Sequence, residues 1–411
     1  MMLSRYLLLI SIVGFSHAYA SDWDYSGHAK LLLNHTQYQE DDLAAVIAGQ
    51  NSFNDLNSNL RLNLQRQWSS WDLNIHYQLA GMSGDSTAIS GSAGSDDGSL
   101  FNLSSVISDD GYHRWVQRVD RLNLGYAADD WVMRVGRQAI SWGNGINFHP
   151  LDIFNPFSPL SLDTEYKNGD DLLYMQWLVN NNTDLQFIYL PRRDKSSGLL
   201  DSDQDSLALK MHMMSEAGDW DVLVARHFND TVYGLAYVRN VAGAVWRNDI
   251  NMTRLSDGRT AWFVDTNMDY SWNWFRHNFY GYIEWFHNSL GQSVVDIPTA
   301  DQSLKERLQR GEVYSLANNL ISLGTMMEIN PRWQANLNLL YQPGDKGYFT
   351  NMMFNYDWQQ NASMIMGMSL PGGPRGSEYG GIYIPANPPD TPDAGYASAG
   401  SQIFFYLQYY Y

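Results

Sequence analysis

The chain is built from short runs in which apolar and polar residues alternate. Trp71-Asp72-Leu73-Asn74-Ile75-His76-Tyr77-Gln78-Leu79 alternates without a break. So do Leu60-Arg61-Leu62-Asn63-Leu64-Gln65 and Trp333-Gln334-Ala335-Asn336-Leu337-Asn338-Leu339. Around position 265, Asp265, Asn267 and Asp269 interleave with Val264, Thr266, Met268 and Tyr270. A period of two places successive side chains on opposite faces of an extended strand. One face is therefore apolar and the other carries Asp, Asn, Gln and Arg. Two folds meet that demand. A water-soluble sandwich turns its apolar face inward, whereas a transmembrane barrel turns it to lipid and lines its lumen with the polar face.

Connection lengths separate the two. Long connections are expected at 39–56, 82–112, 140–168, 192–204, 288–312 and 372–397. Tight ones fall at Ser69-Ser70, Ala127 to Asp130, Asn180 to Asn182, Glu216 to Gly218, Ala242-Gly243, Trp272-Asn273, Asn330-Pro331 and Gln359-Gln360. Each tight turn follows an even-numbered strand. Three connections after odd strands are also short, but no long one follows an even strand. Short turns at one end and long loops at the other mark a bacterial outer-membrane barrel, with both termini on the periplasmic side. Trp68, Trp71, Trp131, Trp220, Trp272, Trp274, Trp333 and Trp358 flank the tight turns, where indole suits a membrane interface. A sandwich gives no reason for that placement. The expected fold is all-β, a transmembrane antiparallel barrel of about 18 strands, with 16 as the alternative.

Both termini agree. Residues 1–20, MMLSRYLLLISIVGFSHAYA, combine Arg5, an apolar run and Ala18-Tyr19-Ala20, the pattern of a cleaved secretory signal peptide. Residues 21–411 are then expected to form one barrel domain. No later stretch reaches the ~18 apolar residues of a membrane helix, and the chain has no cysteine. At the other end, IFFYLQYYY places Ile403, Phe405, Leu407, Tyr409 and Tyr411 on one apolar face. This strand is expected to close the sheet against the first strand near Tyr25–Tyr38, because an open edge in hydrocarbon leaves backbone groups unpaired. Phe405, Leu407, Tyr409 and Tyr411 also resemble the C-terminal signal read by the Gram-negative outer-membrane assembly machinery.

A barrel of ~16–18 strands leaves an aqueous channel unless something fills it. The segment Ile140 to Asn168 holds Trp142, Phe148, Phe154, Phe157, Pro150, Pro156 and Pro159, and so apolar a loop is poorly suited to free solvent. It either folds inward as a constriction or packs on the rim or against another barrel. The proline-rich loop 371–398 either covers the mouth or lies on the surface. Within 299–311, Thr299 with Gln302 suggests a capping box, Glu306 can face Arg310, and Gly311 ends a short helix.

Candidate pore residues follow from inward parity and from the loop: Arg61, Arg121, Arg134, Arg137, Gln138, Trp142, Asp152, Asp163, Arg247 and Asp265, with Arg276 as a further wall cation. Asp249, Asp269, Glu284 and Asp357 are lumen anions by the same rule. The signs nearly balance, so no strong ion preference follows. Charged rings can set selectivity, but cross-strand pairing of the same residues would only stiffen the wall. The net charge of −18 lies partly in predicted outer loops, at Glu40-Asp41-Asp42, Asp96-Asp97, Asp109-Asp110, Asp201, Asp203 and Asp390. Such loops suit divalent cations bridging lipopolysaccharide, or are simply solvated. There is no basic patch for nucleic acid.

Gly136-Arg137-Gln138-Ala139-Ile140-Ser141-Trp142-Gly143 resembles the G-R-Q-x-x-x-aromatic-G element of alginate-export-like and related porin-like outer-membrane proteins. The continuation through Asn147, Pro150, Asp152, Asn155, Pro156, Asp163, Tyr166 and Gly169-Asp170 is more similar to other barrel families of this size. The resemblance covers about 35 residues and implies the class, not a substrate. A polyuronate exporter would carry a strongly cationic lumen, from which this chain departs.

The expected function is a channel for small hydrophilic solutes, with outer-membrane lipid and lipopolysaccharide around it and no cofactor or metal. The rivals are an export or uptake component that docks a periplasmic partner, and a barrel lipase or protease. An enzyme needs a nucleophile with a positioned His and carboxylate. His28, His35, His76, His113, His149, His212, His227, His277 and His287 stand in no H-E-x-x-H or G-x-S-x-G context.

Overall fold

A computed structural model describes residues 23–91, 96–385 and 395–411. The signal-peptide segment 1–20, Asp390 and the centre of the proline-rich loop lie outside these residues.

Eighteen antiparallel strands, each hydrogen-bonded to its sequence neighbours, form one closed barrel. They are β1 (Trp23–Gln37), β2 (Ser52–Trp68), β3 (Trp71–Gly84), β4 (His113–Ala127), β5 (Trp131–Gln138) and β6 (Asp170–Asn180). Next come β7 (Thr183–Leu190), β8 (Ser206–Ser215), β9 (Gly218–His227), β10 (Asp230–Val241), β11 (Ala244–Arg254) and β12 (Thr260–Trp274). The circle is completed by β13 (His277–Asn288), β14 (Asn319–Asn330), β15 (Trp333–Tyr341), β16 (Tyr348–Gln359), β17 (Ala362–Gly372) and β18 (Ser401–Tyr410). A further strand, Ser104–Asp109, pairs only with the start of β4 and makes a hairpin of what the sequence presents as plain loop.

Closure occurs where the alternation requires it. Strand β18 pairs with β1 from His28↔Tyr410 to Gln37↔Ser401. Beyond it, the Gly27 N–H donates to the Tyr411 carbonyl at 3.0 Å and the Tyr411 N–H to the Gly27 carbonyl at 3.1 Å. No barrel edge is left open, which is the condition for sheet in lipid. The two faces differ as expected. Tyr25, Leu33 and Ile403 are 63, 52 and 63% exposed, whereas their inward neighbours His28, Lys30 and Tyr406 are 2, 2 and 7% exposed. Among the described residues, no helix is long and apolar enough to cross a membrane.

The aromatic belt is double. At the short-turn end Trp131 stacks on Trp177 at 5.3 Å, Trp71 packs on Tyr126, and Trp333 stacks on Tyr356. Outward-facing Trp115, Trp262 and Trp285, near the long-loop end, form its counterpart, so tryptophan marks both interfaces and not one. Two local expectations are corrected. The turn placed at Trp272-Asn273 lies at Phe275-Arg276, because β12 and β13 pair through Trp274↔His277. Both turn residues take positive φ, 47° and 67°, the conformation a two-residue hairpin needs to match strand twist. Arg276 is accordingly a turn residue, not a lumen cation. The helix is Gln302–Arg310 with a left-handed Gly311 after it, but Asp301 caps it by accepting from the Ser303 N–H. Thr299 donates to Asp296 instead, and Glu306 accepts from Gln302.

Candidate functional site

The lumen is shaped by the 139–169 connection between β5 and β6. Its first half reaches across the barrel to strands six to nine positions away. The Ile146 and Asn147 N–H groups donate to Glu284 on β13 at 2.8 and 3.0 Å. The Asn147 side-chain amide donates to Glu284, Ser322 on β14 and the Tyr282 hydroxyl at 2.7, 3.0 and 3.1 Å. Asn144 donates through its backbone N–H to Asp249 on β11 at 2.7 Å, and Asn251 donates to the Pro150 carbonyl at 2.7 Å. Inward carboxylates thus satisfy loop N–H groups that the irregular backbone leaves unpaired, as burial demands.

Apolar packing holds the same segment. Trp142, Leu151, Ile153 and Phe154 are buried against Leu172, Ile188, Leu190, Ala208, Leu223, Ala225, Val232 and Ala236 on β6–β10. Phe148 stacks on Phe286 at 4.6 Å. These wall residues occupy inward positions, where a water-filled barrel carries polar side chains. Strands β9 and β10 are therefore apolar on both faces where the loop docks. Gly234 leaves the space: a Cβ there would lie 2.6 Å from Leu151 and 2.9 Å from Leu223. A second apolar cluster joins Phe148 and Phe263 to Leu304, Leu316 and Tyr379, so the 289–318 loop fills the outer lumen beside β12–β16.

The second half of the connection returns to the opposite wall. Asp163 and Glu165 hold Lys30 of β1 at 2.7 and 2.6 Å. The Tyr406 and Tyr410 hydroxyls of β18 donate to Asp163 and Glu165. Burial alone would raise the Asp163 carboxyl, but Lys30 and Tyr406 hold it below the ordinary carboxylate range. The loop is drawn together by Lys167, whose ammonium donates to Asp152 and to the Ile140 carbonyl. Burial pushes Asp152 up to about 6 despite that contact, and pulls His149 down to about 4 with help from Lys167.

One side of the lumen stays open. A cavity of about 710 Å³ lies between Leu160–Asp163 of the loop and the inward faces of β1–β4 and β18. Below the loop, inward Asn74, Gln176, Gln186, Asn336 and Asn355 are half-buried and polar.

The residues singled out from sequence divide accordingly. Arg137, 2% exposed, grips Asp171 through Nε and Nη2 at 2.8 and 2.9 Å and Asp96 at 2.6 Å. It also donates to the Phe101 carbonyl, so it pins the outer 96–101 segment to the loop's root and does not line a pore. Gln138 donates to the Leu172 carbonyl. Trp142 is buried and donates to Gln186 at 2.9 Å. Arg61 bonds Asp120 at 2.7 Å and covers the Tyr166 ring at 4.1 Å. Arg121 bonds the same Asp120 and the Lys167 carbonyl. Arg247 pairs with Asp269, and Arg134 lies 3.8 Å from Asp72. Asp265 is buried, accepting from Asn267 beside Glu284. Asp152 and Asp163 are internal clasps of the loop. Of the ten, only Asp163 borders the cavity. The residues that face it, Gln78, Gln402, Asn57, Asn59, Lys30 and Arg118, carry no motif. Their signal is inward parity alone.

No family model matches the chain, and no curated protein matches its sequence. Solved structures do match. OccAB3 of Acinetobacter baumannii aligns over 95% of this chain and 99% of its own, at 11% identity and a TM-score of 0.52. OccK5 of Pseudomonas aeruginosa aligns over 94 and 98%, at 8% identity and a TM-score of 0.53. A BenF-like porin of Pseudomonas fluorescens aligns over 96 and 99%, at 7% identity and a TM-score of 0.52. At such identities the likeness is one of fold: this chain is similar to outer-membrane porin barrels over about 95% of its length.

Proposed function

We propose that the protein is an outer-membrane channel for small hydrophilic solutes, narrowed by the 139–169 connection. The observation that carries this reading is the asymmetric filling of the lumen. An 18-strand barrel is wide enough for an aqueous path, and the loop occupies the β6–β14 side while a cavity lined by both polar and hydrocarbon groups stays open beside β1–β4 and β18. The likeness in fold to porins supports the same class. Phe405, Leu407, Tyr409 and Tyr411 fit an assembly signal, since all four lie on the outward face of the closing strand. The alginate-export-like element supports no polyuronate cargo here, because Arg137 is locked in ion pairs.

Single-channel recording in planar bilayers tests the reading. Wild-type protein should give stable steps. Asn147→Ala removes the amide that ties the loop to Tyr282, Glu284 and Ser322, and should raise unit conductance about twofold as the cross-section opens. Silence from both proteins would refute the channel.

A further inference from the structure

The cavity has a chemical character of its own, and the inference from it rests on the channel reading above. Three cations face it, and each is answered by a carboxylate. Lys30 is held by Asp163 and Glu165 at 2.7 and 2.6 Å. Arg114 is held by Asp109 at 2.7 Å and also donates to the Gly91 carbonyl at 2.8 Å. Arg118 faces Asp96 at 3.6 Å and donates to Ser104 and Asn168. An ion entering would meet paired charges and gain little from either sign.

The neutral groups are disposed differently. Asn57, Asn59, Gln78, Ser161, Asn168 and Gln402 line the cavity, and of these Asn57 is bonded to Asn34, Asn59 to His28 and Asn168 to Arg118. Among the described residues, the Gln78 and Gln402 amides make no side-chain hydrogen bond, so each presents two donors and an acceptor oxygen to whatever enters. Leu32, Met82, Val116, Leu160 and Leu162 line the same space with hydrocarbon. About 710 Å³ is within the range of sites that enclose small organic ligands.

From this we infer that the cavity is a passage site for neutral polyhydroxylated solutes, of the size of one to a few sugar rings. Hydroxyl groups both donate and accept, which matches an amide wall. The C–H faces of a sugar ring meet the hydrocarbon, and no charge must be desolvated against a balanced lining.

Three probes of nearly equal size and different charge decide it: glucose, gluconate and glucosamine. Initial uptake into proteoliposomes holding the full chain should be at least about fivefold faster for glucose than for either ion, and K⁺ over Cl⁻ permeability should stay within about threefold of unity. Gln78→Leu combined with Gln402→Leu should slow glucose entry about five- to tenfold. Its KCl conductance, within about twofold of wild type, certifies a folded barrel. Where that double variant does not assemble, Gln402→Met alone should still slow glucose. Faster entry of gluconate or glucosamine, or strong ion selectivity, would overturn the inference and leave the channel standing. Equal glucose entry in wild type and the glutamine variants would also overturn it. No uptake of any probe and no conductance would overturn both.

Discussion

At the scale of the residue, the molecule shows how little inward parity says about role. Arg137 and Gln78 both point inward, yet one is sealed in ion pairs and the other faces open space. The difference is whether a loop packs on the side chain, and neighbouring sequence does not encode that. Without the guanidinium the buried Asp171 carboxylate would lose its charged partner, and Asp96 would keep only the more distant Arg118 at 3.6 Å. Arg137→Met is therefore expected to cost roughly 3–5 kcal/mol of unfolding free energy in urea titrations of the refolded barrel. A loss below about 1 kcal/mol would mean that the pairs are solvated and that Arg137 is no staple. Asn147 is the converse case. It is one amide in a proline-rich stretch, yet its side chain bonds three residues lying 135–175 positions away in sequence. Contacts of that range leave no trace in local pattern.

At the scale of the element, the strands were readable because each shows a two-residue period bounded by turn residues. All eighteen expected strands are present, most ending within a few residues of the expected limits. The largest departure is β14, which begins at Asn319, because the preceding residues instead bond to Gln292 through the Leu316 carbonyl and the Asn318 N–H. The turn between β12 and β13 was misplaced for a related reason: Trp272-Asn273-Trp274 reads as a break, whereas the strand continues to an unusual Phe275-Arg276 corner. A non-glycine residue in the left-handed region costs about 1–2 kcal/mol. Arg276→Gly should therefore stabilise the barrel by about 1 kcal/mol, seen as a higher midpoint of thermal unfolding on gels that separate folded from unfolded protein. An unchanged or lower midpoint would place the strain elsewhere.

The outer loop around Glu378 carries a pH dependence. Its carboxylate is buried, accepting from Ser315 and the Leu316 N–H, and burial pushes it up to about 7, with Asp345 adding in the same direction. The folded state then binds a proton that the unfolded state releases near its ordinary value. Stability from this site is full below about pH 4.5 and lost as pH rises through about 7. Proteolytic cleavage of the 373–400 loop should be slower at pH 5 than at pH 8, and Glu378→Gln should flatten the difference. Cleavage independent of pH in the wild type would contradict the assignment.

At the scale of the whole molecule, the barrel class was plain from sequence because lipid imposes one rule on every strand at once. The 140–168 segment was legible as poorly suited to solvent from its aromatic and proline content, which left an inward fold and packing on the rim or against another barrel as alternatives. Its path was not. The overlooked sign was the failure of the polar-inward rule at Leu223, Ala225, Val232 and Ala236, where the wall becomes a docking surface. On the reading proposed above, solute passes beside β1–β4 and β18 and not beside β6–β10. The chain contains no cysteine, so single cysteines can map that path directly. The measurement is current through bilayer-inserted Gln78→Cys, Gln402→Cys, Ala208→Cys and Ala236→Cys barrels before and after a small charged methanethiosulfonate is added. A stepwise change in current is expected at Gln78→Cys and Gln402→Cys and none at Ala208→Cys or Ala236→Cys. Modification of current at the two alanine positions, with none at the glutamines, would contradict that reading.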